Sequence, residues 1–307
     1  MVEGSFHEPV LVEAVLKQLE PERGGLHFDG TVGGGGHAEA ILIRGQESRV
    51  IGVDRDEEAL AVARRRLEPY GERVELVHGD YAEVASRTSE PLAGALLDLG
   101  VSSHQIDETG RGFSWRRGAP LDMRMSSAGG RTAADLLNEL PEAELADVFY
   151  RYGEERRSRR LAAEIVKRRR TQRFATSDDF VAAMQVALGG HLTERTKARL
   201  YQALRIELNG ELEQLERALP VLRDRLEPGG VLCVIAYHSL EARIVKQQFR
   251  DWSTACVCPP GLPVCVCGRV PAGREITRKA MAPSAAEIAA NPRARSAKLR
   301  AWRKAAA

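Results

Sequence analysis

Residues 29–37 read "DGTVGGGGH", and the reading of this stretch decides the fold. Four consecutive glycines surrender backbone order, because glycine loses more conformational freedom on folding than any other residue. Such a run has a use where a ligand must lie directly against the main chain. In an open parallel sheet that place is the turn between the first strand and the following helix, beyond the carboxyl ends of the strands. The flanks agree: "GLHFD", ending at Asp29, has the composition of a buried strand, and "HAEAILIR" after the glycines is rich in helix formers.

The same alternation continues outward. "RVIGVD" ends at Asp54, "RVELVHGD" at Asp80 and "AGALLD" at Asp98, with the helical "EEALAVARRRLE" among them. This is the rhythm of an α/β doubly wound parallel sheet. After "EPGG" the apolar run "VLCVIAYHSL" and the helical "EARIVKQQF" resume it. Between about Arg131 and Arg225 there is no strand-like run. Leu161, Ala162, Ile165 and Val166 instead form an apolar stripe at helical spacing. We therefore expect a sheet domain interrupted by an all-helical insertion, with residues 1–110 as its first part, 111–225 as the insertion and 226–307 as its second part, ending in a basic tail.

Composition narrows the function class. A chain of 307 residues that is 43% hydrophobic can build one large core or two ordinary ones. Its opening residues, "MVEGSFHEPVLVEAVLKQLE", mix acids and a proline with apolar residues, unlike a secretory signal. The longest clear apolar run, Val231 to Ala236, is far short of a membrane span. Five cysteines are too few to staple a secreted scaffold of this size, so a cytoplasmic location is expected. The net charge of +2 conceals segregation. Arg151–Phe174 carries ten basic residues against three acids and Gly268–Ala307 ten against two, leaving the remainder strongly acidic. Basic surfaces of this kind suit contact with phosphate.

The acids indicate the cofactor. Asp54 ends a strand 21 residues after Gly33, where an acid commonly accepts hydrogen bonds from ribose hydroxyls. Four strands end in Asp29, Asp54, Asp80 and Asp98. A mouth so lined repels a pyrophosphate and attracts an ammonium and a sulfonium, which favours S-adenosylmethionine over a dinucleotide. Methyl transfer from a sulfonium is an in-line displacement and depends mostly on positioning. Asp98 is the candidate catalytic residue: its carboxylate can accept the N–H groups of a poorly nucleophilic amino group and stabilise the charge that develops on nitrogen.

The motifs "FHEPVLVEAVL", "DGTVGGGGH", "IGVDRD", "LLDLGVSS", "GRGFSW", "PLDMRM", "YGEER", "AYHSLEARIVK" and "NPRARSAKLR" together resemble the bacterial methyltransferase family, known as RsmH or MraW, that modifies N4 of a cytidine in 16S ribosomal RNA. The resemblance spans nearly the whole chain. It implies a class I methyltransferase fold with a helical insertion, S-adenosylmethionine as cofactor, and 16S rRNA in the small ribosomal subunit or its precursor as partner. Carried over by motif, the cofactor contacts fall on Gly35, Gly36, His37, Asp54, Tyr81, Asp98 and Gln105. Other amino methyltransferases usually show Asp/Asn/Ser-Pro-Pro-aromatic here, whereas this chain has Asp98-Leu99-Gly100-Val101. The stacking aromatic must then come from elsewhere, with Phe113, Trp115 and Tyr237 as candidates. His238 could approach the site or be a structural histidine.

For RNA contact the sequence offers Arg168, Arg169 and Arg170 in the insertion and Arg293 and Arg295 near the end. Trp302, set among cations, could stack on RNA or pack the tail back on the domain. In "CVCPPGLPVCVC", Cys256, Cys258, Cys265 and Cys267 form two C-x-C pairs, a departure from the usual C-x2–4-C zinc spacing, and no metal is expected. Two other classes remain open at this stage: a nicotinamide-dependent oxidoreductase, and an RNA-binding assembly factor without catalysis. Methylation at another RNA position is a further alternative.

Overall fold

The computed structural model describes residues 9–102, 105, 108–126, 129–258, 264 and 266–306. The chain divides into two compact units, one formed by Met1–Gly100 with Glu213–Ala307 and the other by Val101–Leu212.

The first unit is built on a seven-stranded sheet of β1 (Gly25–Asp29), β2 (Ser48–Asp54), β3 (Val74–His78), β4 (Leu92–Asp98), β5 (Leu226–Ala236), β6 (Gly273–Glu275) and β7 (Lys298–Lys304), in the order β3-β2-β1-β4-β5-β7-β6. The first five strands are parallel, and β7 enters antiparallel between β5 and β6. This is the class I methyltransferase topology implied by the family resemblance. The β4 and β5 residues alternate between faces, as a strand buried on both sides requires. Leu97, Leu232, Val234 and Ala236 join one core, while Leu96, Val231, Cys233 and Ile235 join the other. On the second face lie α1 (Val12–Leu19), α2 (Gly36–Arg44) and α3 (Glu57–Leu67), each presenting an apolar stripe such as Ala59, Leu60, Ala63 and Leu67. α4 (Tyr81–Arg87) contributes to the first core.

The second unit holds α5 (Ala133–Glu139), α6 (Glu142–Arg151), α7 (Ser158–Arg169), α8 (Ser177–Leu188) and α9 (Glu194–Asn209) around its own core. Phe149 stacks on Phe180 at 5.8 Å, and Tyr201 lies 5.4 Å from Phe180. Capping boxes at Thr132–Asp135 and Thr176–Asp179 fix two helix starts, as their spacing allows.

Two features differ from the sequence reading. The unit boundaries fall at 100 and 213, earlier than the 110 and 225 expected. Helix α10 (Glu211–Arg225) looks like a continuation of the insertion, but Leu215, Ala218, Leu219 and Leu222 lie in the first core of the sheet unit. Periodicity announces such a helix without saying what covers its stripe. The basic tail is also not a tail. Residues 298–304 are strand β7, in which Trp302 is fully buried, sits edge-on to Trp252 at 5.2 Å and donates from Nε1 to Ser253 Oγ at 3.1 Å. Arg300 pairs with Glu275, Arg303 with Glu20, and Lys304 donates to the carbonyls of Asp224 and Leu226. Trp302 is therefore unavailable for stacking on RNA, and these cations serve the fold of the sheet unit.

Candidate active site

β1 lies between β2 and β4, so the chain leaves its carboxyl end at the point where strand order reverses, the usual ligand-binding position of an open α/β sheet. The segment after Asp29 bridges both neighbours. Gly30 N–H donates to Leu96 O of β4 at 2.9 Å, and Val32 N–H donates to Val53 O of β2 at 2.9 Å. A side chain at Gly30 would force its packed neighbours to shift, since its Cβ would fall 2.5 Å from Leu97 Cδ2 and 3.1 Å from Tyr81 Cβ. Gly35 is the N-cap of α2 with φ +86°, a conformation that L side chains rarely adopt. These two positions account for glycine by close approach and by chirality respectively.

Asp54 closes the loop. Its Oδ2 accepts Gly33 N–H at 2.8 Å and its Oδ1 accepts Asp56 N–H at 2.9 Å. Burial pushes its pKa upward despite these bonds. Asp98, at the end of β4, is held on three sides. Its N–H donates to Thr31 Oγ1 at 2.6 Å, the Tyr237 hydroxyl donates to Oδ1 at 2.9 Å, and His37 Nε2 on the first turn of α2 lies 3.4 Å from Oδ2. Only about 10% of the Asp98 side chain is exposed, so its orientation is set by these partners rather than by water. Asp29 is more deeply buried. Thr31 N–H donates to its Oδ1 at 3.2 Å, while its Oδ2 has no hydrogen-bond partner, and burial raises its pKa to about 7. Burial of the Tyr237 hydroxyl, followed by the charge of Asp98, drives its pKa upward, so it remains the donor in that bond.

The acidic mouth is thus smaller than a count of strand-end aspartates suggests. Asp80 is the N-cap of α4, accepting from Ala82 and Glu83 N–H groups, and it is paired with Arg55 and, at 3.2 Å, with Arg217. Burial opposes its ionisation, but the Arg55 guanidinium outweighs this and holds the carboxyl below its usual range. Asp80 therefore projects little net charge. His238 is likewise structural: it caps α11 (Ser239–Ser253), and Glu241 accepts the N–H groups of Tyr237 and His238 in return.

The remaining expected residues are distributed as follows. Gly35, Gly36, His37, Asp54, Tyr81 and Asp98 all belong to the sheet unit. Tyr81 is buried beside Gly30, whose added Cβ would lie 3.1 Å from Tyr81 Cβ. Gln105 belongs to the helical unit, where its Oε1 accepts Ser102 N–H and its own N–H donates to Ser102 Oγ. Of the aromatic candidates, Phe113 and Trp115 line a cleft of about 650 Å³ within the helical unit, together with Met123, Tyr201 and Arg205. Tyr237 instead stands against Gly100, its ring 3.5 Å from where a Cβ would be. The chain thus places an aromatic beside Asp98-Leu99-Gly100 from the next strand end. The run "VLCVIAY" at the end of a strand adjacent to β4 was the available signal. Thr31 is not legible in the sequence, since a threonine two residues after a strand-end aspartate carries no distinctive pattern.

The arginines split in the same way. Arg168 pairs with Glu164 at 2.6 Å, and Arg169 Nη1 donates to the carbonyls of Leu137 and Leu140 at 3.0 and 2.7 Å. Arg170 is exposed, as are Arg156, Arg159, Arg160 and Lys167 around the same helix. Arg293 and Arg295 are exposed in a short 3-10 turn, Pro292–Ser296.

Residues 4–305 match the model of the MraW methylase family, which covers nearly the whole chain. The chain belongs to that family. A relative named ribosomal RNA small subunit methyltransferase H, from Gemmatimonas aurantiaca, is 50% identical over 307 residues, covering 98% of this chain and 96% of the relative. A protein of the same name from Geobacter sp. (strain M21) is 48% identical, covering 97% and 98%. Among solved structures, an rRNA methylase from Streptococcus thermophilus is similar across 98% of this chain and 99% of its own, at 13% identity and a TM-score of 0.44. The assignment of the chain to the class I fold rests on its strand order. No helix among its described residues is long and apolar enough to cross a membrane.

Proposed function

We propose that the chain transfers a methyl group from S-adenosylmethionine to N4 of a cytidine in 16S rRNA, within the small ribosomal subunit or its precursor in the cytoplasm. The observation that carries this reading is the Asp98 carboxylate, nearly buried, fixed by Tyr237 and His37 and set beside a glycine loop tied down by Asp54. The names of the relatives supply the RNA.

The residues fit such a cofactor. The Gly33–Gly36 turn carries no side chains, Asp54 keeps lone pairs for ribose hydroxyls, and Asp29 Oδ2 is buried without a hydrogen-bond partner. When bound, S-adenosylmethionine supplies a methyl group already activated by a positive sulfur. Asp98 accepts N–H bonds from the cytosine amino group, draws the nitrogen lone pair out of conjugation and stabilises the positive charge arising on nitrogen. Tyr237 occupies Oδ1, which leaves Oδ2 as the oxygen with capacity to hold the departing proton. Asp54→Ala is expected to weaken S-adenosylmethionine binding by about 1–3 kcal/mol, measured calorimetrically, because it removes both a charge-assisted bond to ribose and the anchor of the loop. An unchanged affinity would remove Asp54 from the cofactor site.

For RNA, the exposed cations of α7 are the phosphate-binding surface we favour, with Arg170 in place of the whole 168–170 run. Arg169→Gln is expected to lower the unfolding free energy by about 1–3 kcal/mol in urea titrations, because two carbonyls at the end of α5 lose their donor. Arg170→Gln should leave stability within about 0.5 kcal/mol of the parent. Its effect should appear in RNA binding, where the log-log salt dependence flattens by up to about 0.7–0.9 for each phosphate that is no longer neutralised.

The test of the function is direct. The chain is incubated with labelled S-adenosylmethionine and either 16S rRNA or small subunits from cells lacking this modification, and the product is mapped by mass. Label on cytidine N4 supports the reading, label on another nucleotide redirects it, and RNA binding without label leaves an assembly factor. Cofactor titration with NAD alongside S-adenosylmethionine separates the oxidoreductase alternative.

A further inference from the structure

In the loop between α11 and β6 no described residue from Thr254 to Ala272 is buried, so no apolar core orders the described part of it. Three thiols nevertheless converge there. The Sγ atoms of Cys256, Cys258 and Cys267 all lie within 4.8 Å of one another, and Cys256 and Cys267 are 3.9 Å apart. A disulfide requires about 2.05 Å. A tetrahedral zinc with Zn–S bonds of about 2.3 Å has sulfur-to-sulfur edges of about 3.8 Å. The Cys256–Cys267 separation matches such an edge and is far longer than a disulfide bond. Main-chain donors also point at the sulfurs: Cys258 N–H to Cys256 Sγ at 3.4 Å, and the N–H groups of Val266 and Cys267 to Cys258 Sγ. Such N–H donors disperse thiolate charge without competing for the metal.

We propose that Cys256, Cys258 and Cys267 supply three thiolates to a zinc ion that staples this loop, with a water or another donor completing the tetrahedron. The inference departs from the absence of metal expected from the C-x-C spacing. That spacing rule describes the common knuckle, in which both thiols of a pair follow one turn of backbone. Here the ligands come from two separated segments, and what matters is the distance between sulfurs. Cys265 lies outside the described residues and is not assigned a role. On binding, each ligand thiol releases its proton to solvent and donates a lone pair, with no change in oxidation state. Cys233, buried in β5, is remote from this chemistry and serves as the control.

The experiment uses the full chain, purified in the presence of a reductant without chelator. About one zinc per chain is expected by elemental analysis. After replacement by cobalt(II), the reduced protein should show the intense thiolate-to-cobalt charge-transfer absorption of a tetrahedral thiolate site. Cys258→Ser and Cys267→Ser should each lose the metal and that absorption, while Cys233→Ala retains both. Circular dichroism verifies that the sheet unit of each variant is intact, and the metal content of the parent decides the matter if one is not. Three results overturn the proposal: a metal-free parent that fails to take up cobalt when reduced; full zinc content in Cys258→Ser; or a Cys256–Cys267 disulfide in protein whose thiols were alkylated at the moment of cell lysis.

Discussion

Asp98→Ala is expected to lower kcat for methyl transfer by at least about 10²- to 10³-fold, the usual consequence of deleting a preorganised group that meets charge developing in the transition state. On the proposed reading the carboxylate is the substrate's acceptor on β4, through Oδ2, which faces His37 Nε2 at 3.4 Å without a hydrogen bond to it. Its Oδ1 is taken by the Tyr237 hydroxyl, and its backbone is locked through Thr31 Oγ1. Asp98→Asn isolates the charge from the shape, because the amide fills the same space but presents a donor where an acceptor is needed. It should be about as inactive. Tyr237→Phe should fall between these variants and the parent, since it releases one oxygen from its restraint without removing the charge. Single-turnover methylation with saturating cofactor makes the comparison, and near-parental turnover by Asp98→Asn would exclude Asp98 from the chemistry.

The second large effect concerns stability. Asp29→Asn is expected to become increasingly favourable as pH rises, its unfolding free energy gaining on that of the parent by about 4 kcal/mol between pH 4 and pH 8. Burial raises the Asp29 pKa from an ordinary 3.8 to about 7. The folded state therefore holds a proton that the unfolded chain gives up near pH 4. Stability from this group is full below that value and is lost as pH rises through about 7. Asparagine has no proton to lose and can still accept the Thr31 N–H. The parent's own pH profile would not reveal the effect, because His27 opposes it. Burial lowers the His27 pKa to about 4, so its contribution is lost as pH falls below the unfolded value of about 6.5. Subtracting the variant's urea-derived stability from the parent's at each pH cancels His27 and leaves Asp29. A difference that does not change with pH would mean that Asp29 titrates normally. The cost of ionising Asp29 also has a functional reading: a cationic ligand bound beside it would recover that energy, so the asparagine variant should be more stable and bind S-adenosylmethionine less well.

Much of this protein is legible without coordinates because local chemistry dictates it. The glycine run after Asp29 and the apolar segments ending in aspartate mark the turn and the parallel strands by backbone freedom and composition. Leu161, Ala162 and Ile165 declare a helix by spacing alone, and they do line the core of the helical unit. Tertiary structure decided what depends on which surfaces meet. Helix α10 joined the sheet unit, and the basic end of the chain became strand β7, because an apolar stripe or an alternating Leu299–Ala301 pattern is satisfied by whichever core is nearest in space. The four strand-end aspartates look equivalent in the sequence. Their electrostatic roles diverge because Arg55 and Arg217 reach Asp80 from distant positions, while Asp29 is left in a dry interior and Asp98 is gripped by Tyr237 from 139 residues away. A charge's worth is fixed by its solvation and its neighbours, and neither is a property of the residue's place in the chain.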